Sequence, residues 1–183
     1  HAEVRARARA WLDDRFGLNM VEPGYIPVPP RLIVEERLTT PEGGRPTEHR
    51  VMVFNGVARL IHVTDVDAAG ESRTLGFFDR AWDALPIFLL STERPKEVAR
   101  PARLEELLGL AERLAAGLDF ARVDIFDCGD RLVVGEITLY PWSGLLPFRD
   151  PAQDLALGAM WQLRWPMFTA LWSLAFRRWA IKP

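Results

Sequence analysis

The chain has 183 residues, 49% hydrophobic and 26% charged, which is ordinary globular composition and enough to bury a core in one sizeable domain, with or without a tail. Its 23 basic and 25 acidic residues leave a formal net charge of −2, so the total carries no strong attraction to nucleic acid. The lone Cys128 excludes an intramolecular disulfide and a cysteine-based zinc site, and fits a reducing, cytoplasmic compartment.

No secretory leader is expected before the first helical pattern, although the chain opens on His1 rather than Met. EVRARARAWLDDRFG places Val4, Ala8, Trp11 and Leu12 on one helical face, with Gly17 as its C-cap. A link with Pro23, Pro27, Pro29 and Pro30 follows, and RLIVEERL then reads as a short strand. After the loop PEGGRP, HRVMVFNGVARLIHV predicts two β-runs around Asn55-Gly56, the strongest short hairpin signal. The stretch 71–90 is less regular. It contains GFFD and ends in an apolar piece after Pro86.

PARLEELLGLAERLAAGLD is the clearest helix. Leu104, Leu107, Leu108, Ala111, Leu114, Ala115 and Leu118 form one stripe, and Gly117 or Asp119 lies near its end. Residues 120–139 then predict a second hairpin, and a loop with Pro147 and Pro151 leads to an aromatic segment. No internal repeat or low-complexity tract is present. Hairpins separated by helices predict an α+β fold, with a domain over 1–158 and a tail helix over 159–183. His49 and His62 are expected on a strand surface.

The second hairpin carries the chemistry. Side chains of a strand alternate, so Arg122 and Asp124 share one face while Val123 and Ile125 share the other. A three-residue loop, Cys128-Gly129-Asp130, would pair Phe126 with Leu132, Asp124 with Val134 and Arg122 with Glu136. Asp124 and Glu136 would then be diagonal neighbours, roughly 5–8 Å apart at Cβ and within reach of one cation. A two-residue loop would put them on opposite faces. Two close carboxylates repel unless a cation or proton sits between them, and Arg122 adds a fixed charge suited to a phosphoryl group. A solvated outer face with an Arg122–Glu136 ion pair accounts for the same residues.

The stretches AWL, PRLIVEERL, VMVFNGVARLI, GFFDRAWDALP, ARLEELLGLAERLAAGLDFARVDIF and GEITLYPWSGLLPF fall in an order that resembles the TupA-like branch of the ATP-grasp ligases. The resemblance spans most of residues 9–158. It implies an ATP-grasp-like fold and an ATP- and magnesium-dependent carboxylate–amine ligase of cell-surface polymer or polysaccharide synthesis. Asp124 and Glu136 would be magnesium ligands, with Thr138 where many relatives have Asn. Arg122 would contact phosphates or an acyl-phosphate. Glu35, Glu36 and Leu38 would form the adenine hinge, and Glu48 a ribose contact, although a charged loop rim is the preferred account of Glu48. Ser143 and Gly144 would belong to the substrate loop, in which Trp142 replaces the usual Gly. The family's phosphate-binding lysines and glycine-rich loop have no counterpart before Glu35, so the chain looks like the C-terminal part of such a ligase, whole, partial or retained as a non-catalytic scaffold.

Trp161, Trp165, Phe168, Trp172, Phe176 and Trp179 fall on one helical face. Arg164, Arg177, Arg178 and Lys182 make the tail basic, and no acid follows Leu155. The uncharged run from Trp165 to Phe176 is 12 residues, against the roughly 20 of a membrane span. Docking on the domain or a partner protein, or lying at the surface of the inner membrane, both fit it. A metal-dependent nuclease ranks last, because no basic stripe serves a polyanion.

Overall fold

The computed structural model describes residues 2–14, 16–20, 22–66, 72–89 and 97–163. Asn55 and Gly56 both take positive φ, 50° and 86°, the geometry that a two-residue hairpin turn demands. They join β1 (Thr47–Phe54) to β2 (Val57–Val66). A further strand, β3 (Ser72–Phe78), pairs with β2, although its sequence reads as irregular. The second hairpin is β4 (Phe120–Asp127) and β5 (Leu132–Thr138). Its β4 lies antiparallel beside β1, so the two hairpins merge into one five-stranded antiparallel sheet of order β3-β2-β1-β4-β5. The α+β expectation is met, with β1 at the centre between β2 and β4.

Alternation along these strands builds two different faces. Val51, Val53, Ile61, Val63, Val123 and Ile125 point to one side, where the Leu104–Leu114 helix covers them with Leu104, Leu107, Leu108 and Ala111. Each of these leucines is at most 1% exposed, and full burial of such a side chain contributes about 1.5–3 kcal/mol. Leu114, expected in the same stripe, is 37% exposed, because the helix ends there and Gly117 turns the chain away at φ 87°. Glu112 pins the helix to the first hairpin by accepting from Ala58 N and pairing with Arg80. The opposite face is apolar only at one end. There Met52, Phe54, Leu60, Phe77 and Phe120 meet Ile87, Leu89 and Leu157.

Several local expectations give way to tertiary context. RLIVEERL forms no strand. It finds no ladder partner among the described residues and leaves Ile33 and Val34 79% and 98% exposed. The Ala2–Asp13 helix exists but buries none of its residues. Gly17 is not a cap. A Cβ there would lie 2.7 Å from Ile26 N, so glycine is required by a close backbone approach. His49 and His62 are not on a surface but 2% and 1% exposed, one on each face of the sheet.

A short helix, Pro151–Gly158, is capped by Asp150, whose carboxylate accepts from Ala152 N. Beyond it the chain is not helical through 163. Trp161 packs on Phe120 at 5.2 Å, and Gln162 exchanges two hydrogen bonds with the Asn55 side chain at 2.6 and 2.8 Å. Trp165, Phe168, Trp172, Phe176 and Trp179 lie outside the described residues. Among the described residues no helix is long and apolar enough to cross a membrane.

Candidate functional site

The polar half of the sheet's second face holds the sequence-predicted carboxylates, brought together by a route that differs from the expected one. The β4–β5 connection has four residues, Cys128 to Arg131, closed by a hydrogen bond from Cys128 N to Arg131 O at 3.0 Å. It pairs Asp127 with Leu132 and Ile125 with Val134. Continued without interruption, that register would set Asp124 against Gly135 and send Glu136 to the opposite face. A bulge at Gly135 absorbs one residue instead, so Asp124 stands directly opposite Glu136 and Arg122 opposite Thr138. The expected Asp124–Val134 and Arg122–Glu136 pairs are therefore replaced by a closer arrangement of the same face.

Glycine is needed at the bulge, because a Cβ on residue 135 would meet Phe126 Cε2 at 2.6 Å. Gly135→Ala is expected to lower stability by about 1–3 kcal/mol through this overpacking. Combining it with Phe126→Leu in urea titrations is expected to cost less than the sum of the two. Strict additivity would mean that the ring is not what excludes the side chain.

Arg122 ties the site together. Its Nε and Nη2 donate to Asp124 Oδ1 and Oδ2 at 2.7 and 2.8 Å, and Nη2 also donates to Glu136 Oε2 at 2.8 Å. The Arg122 and Asp124 side chains are 8% and 3% exposed, whereas Glu136 is 56% exposed, so one carboxylate is interior and the other faces solvent. Burial raises the Asp124 carboxyl to about 6, against the Arg122 hydrogen bonds and the charges of Arg122 and Arg50. Thr138 is buried beside them, its hydroxyl 3.3 Å from Tyr25 OH and accepting from Tyr140 N at 3.3 Å.

The sequence reading missed a second arginine. Arg50 lies between Asp124 and His62 in the cross-strand row, with Nε 3.8 Å from Asp124 Oδ2 and Nη2 donating to Glu48 Oε2 at 2.9 Å. Glu48 is no loop rim. It sits in β1, on the same face, and also accepts from Thr64 Oγ1 at 2.6 Å. The alternation could have exposed this: Glu48-x-Arg50 and Arg122-x-Asp124 lie on adjacent strands with the same face polar.

His62 completes the row. It stacks on Phe77 at 4.4 Å, and its Nε2 lies 2.9 Å from Thr74 Oγ1. Burial, reinforced by the charges of Arg50 and Arg122, depresses its pKa to about 3, so it stays neutral. Cys128 is fully buried, and burial pushes its thiol up, which does not suit a nucleophile.

The segment after β5 folds back over the arginines. Trp142 places its ring 5.7 Å from the Arg50 guanidinium and 5.0 Å from that of Arg122. Ser143 donates to Glu22 Oε1 at 3.0 Å, a buried carboxylate that the sequence reading also missed, and Gly144 continues the turn at φ 72°. Glu35 and Glu36 are exposed and Leu38 is half-buried, and no hydrogen bond or ion pair joins the two glutamates to the hairpin among the described residues. An open groove of about 1070 Å³ lies elsewhere, lined by Trp11, Leu18, Ile26 and Val28, and reaches the site residues only through Tyr25.

The donor set fits a hard divalent cation: two carboxylates and a hydroxyl are oxygen ligands of the kind that magnesium takes. Among the described residues no group of three His, Cys, Asp or Glu side chains is placed to hold a metal, so phosphate oxygens or water would complete the shell. The Arg122 guanidinium occupies the space between the carboxylates in this structure.

No curated protein and no solved structure matches the chain. Residues 6–162 match the TupA-like ATPgrasp family, and that span takes in β1 to β5, both hairpins and the paired carboxylates; the chain belongs to this family.

Proposed function

We propose that this chain carries the metal- and phosphate-facing part of an ATP- and magnesium-dependent carboxylate–amine ligase that works in cell-surface polymer or polysaccharide synthesis. The observation that supports the reading is Asp124 directly opposite Glu136, with Arg122 bonded to both. In the reaction a carboxylate substrate attacks the γ-phosphate of ATP, giving an acyl-phosphate and ADP. An amine then displaces phosphate and forms the amide. Neither step needs a protein nucleophile, so positioning and charge neutralisation carry the catalysis.

Magnesium, when bound, supplies positive charge to the phosphate oxygens. Asp124, Glu136 and Thr138 would hold it. Arg122 turns its donors to a phosphoryl group or acyl-phosphate only when another positive charge takes its place between the two carboxylates. Glu35, Glu36 and Leu38 serve the adenine and Glu48 the ribose in this reading, while Ser143 and Gly144 line the substrate. The location is cytoplasmic, at the inner membrane surface if the aromatic tail reaches it.

A second reading, a truncated or non-catalytic scaffold of the same family, draws on the exposed Leu32, Ile33 and Val34. Calorimetric titration of Mg-ATP separates the two. Saturable, magnesium-dependent binding that Glu136→Gln weakens by roughly tenfold or more is the expected result. Glu136→Gln itself is expected to change stability by under about 1 kcal/mol, because that ion pair is half exposed. A folded chain that binds no Mg-ATP means that the site is incomplete as it stands, and the partial or scaffold reading then leads.

A further inference from the structure

Arg50 and Arg122 stand side by side over one oxygen. Asp124 Oδ2 is 2.8 Å from Arg122 Nη2 and 3.8 Å from Arg50 Nε. Two guanidinium groups this close require negative charge or an electron-rich surface around them. Carboxylates serve the side toward the sheet. Toward the substrate loop the same service comes from the Trp142 indole, whose ring lies near both guanidinium carbons. One donor is nevertheless left over: Arg50 Nε is buried and donates no hydrogen bond among the described residues, with Asp124 Oδ2 at 3.8 Å as its ion-pair partner. An orphaned charged donor in a buried cluster is costly unless a ligand uses it.

The backbone that delivers the indole is itself unusual. Trp142 and Ser143 are consecutive non-glycine residues in the left-handed region, at φ 50° and 56°. Side chains pay a steric penalty there, so this turn persists only while its contacts hold it. Its contacts include the two arginine faces, the His62 ring at 5.6 Å, the edge of the second apolar cluster, the backbone bonds from Ser143 N to Tyr140 O and from Leu145 N to Trp142 O, and the Ser143 hydrogen bond to buried Glu22. A glycine at position 142 could adopt the turn freely but could not fill the space above the arginines.

The geometry points to a two-arginine seat for an anionic phosphoryl group, made by Arg50 together with Arg122, with the Trp142 indole as its displaceable cap. It rests on the nucleotide-site reading above and adds to it Arg50 and a closed resting arrangement. Two guanidinium forks match the several terminal oxygens of a phosphoryl group, and neither changes protonation. Swinging Trp142 out removes contacts that hold the two left-handed residues, and the incoming anion replaces the indole as the partner of both arginines. No bond is made or broken in this exchange.

Calorimetry with inorganic tripolyphosphate in excess magnesium tests the seat without nucleotide recognition. Trp142→Ala is expected to bind this probe roughly tenfold more tightly than the unaltered chain, since the anion no longer competes with the ring. Arg50→Met placed in the Trp142→Ala chain is expected to erase that gain. Circular dichroism checks folding throughout, and Trp142→Phe, with a smaller ring, is expected to shift affinity the same way by less if the alanine variant fails to fold. A folded Trp142→Ala chain with unchanged affinity, or a gain that survives Arg50→Met, overturns the proposal. Mg-ATP binding that depends on Glu136 but ignores Trp142 removes the cap and leaves the ligase reading intact. A tripolyphosphate gain in Trp142→Ala, in a chain that binds no Mg-ATP, supports the seat and removes the nucleotide reading.

Discussion

Replacing Arg122 by methionine is expected to lower unfolding free energy at pH 7 by about 3–5 kcal/mol, the usual cost of removing one partner of a buried ion pair. The size follows from what is left behind. Asp124 is 2% exposed and receives two of the three short hydrogen bonds that Arg122 donates. Methionine fills much of the volume but donates nothing, and the Arg50 Nε at 3.8 Å is too far to replace a bidentate pair. Adding Asp124→Leu to Arg122→Met is expected to recover most of the loss, because the double variant buries no unpaired charge. Urea unfolding of the three chains measures this directly. A single variant that loses under about 1 kcal/mol would show that water reaches Asp124. The same cycle isolates the coupling between the two residues from any effect on nucleotide binding.

The second large effect is acid instability through His62. Its pKa is depressed to about 3 in the folded chain from an ordinary 6.5, so above pH 6.5 both states hold it neutral and nothing is lost. As pH falls from 6.5 toward 3, the unfolded chain takes up a proton that the folded chain refuses, and stability drops by about 1.4 kcal/mol per pH unit. Across the whole window the loss is on the order of 5 kcal/mol. His49, also depressed by burial, acts in the same direction. Asp124 acts in the opposite one: raised to about 6, it holds a proton in the folded state that the unfolded state releases, so its contribution grows as pH falls toward 3.8.

The cited groups therefore partly cancel in the total, and the His62 share is read from a difference. The gap in stability between the unaltered chain and His62→Gln is expected to shrink or reverse between pH 7.5 and pH 4.5. A gap independent of pH would mean that His62 does not stay neutral between the two arginines. The groups facing it are Arg50 from β1 and Arg122 from β4, with Thr74 and Phe77 from β3 and Trp142 above. None of these offers a carboxylate to stabilise its proton.

Both effects have one origin. The sheet's second face holds a charged cluster, Asp124, Arg122, Arg50 and Glu48, with Glu136 at its exposed edge, beside a neutral histidine and within walls that are apolar at one end. Such a cluster is a poor way to gain stability, since well-packed apolar residues would serve as well. It is a good way to keep fixed charges ready for a charged ligand, because the protein has already borne the cost of orienting them.

Local signals account for what the sequence by itself determined. Asn55-Gly56 specifies its hairpin because both residues must accept positive φ. The 101–119 stretch specifies its helix because its leucines repeat on one face. Alternation placed Arg122 with Asp124, and the pair Asp124 and Glu136 could be proposed from the turn that follows, as could membership of the family from motifs in order. Each of these depends on residues within a few turns or strands of one another.

Tertiary structure decided the rest. The bulge that sets Glu136 opposite Asp124 arises where the Phe126 ring covers residue 135, a contact that the turn residues do not foretell. Arg50 joined the site, and the histidines went inside, only when β4 paired with β1 across the intervening helix. RLIVEERL has the composition of a strand and is none, because a strand exists only where a neighbour accepts its backbone hydrogen bonds. Periodicity determines which face a side chain shares with its neighbours, whereas what covers that face depends on chain that is distant in sequence.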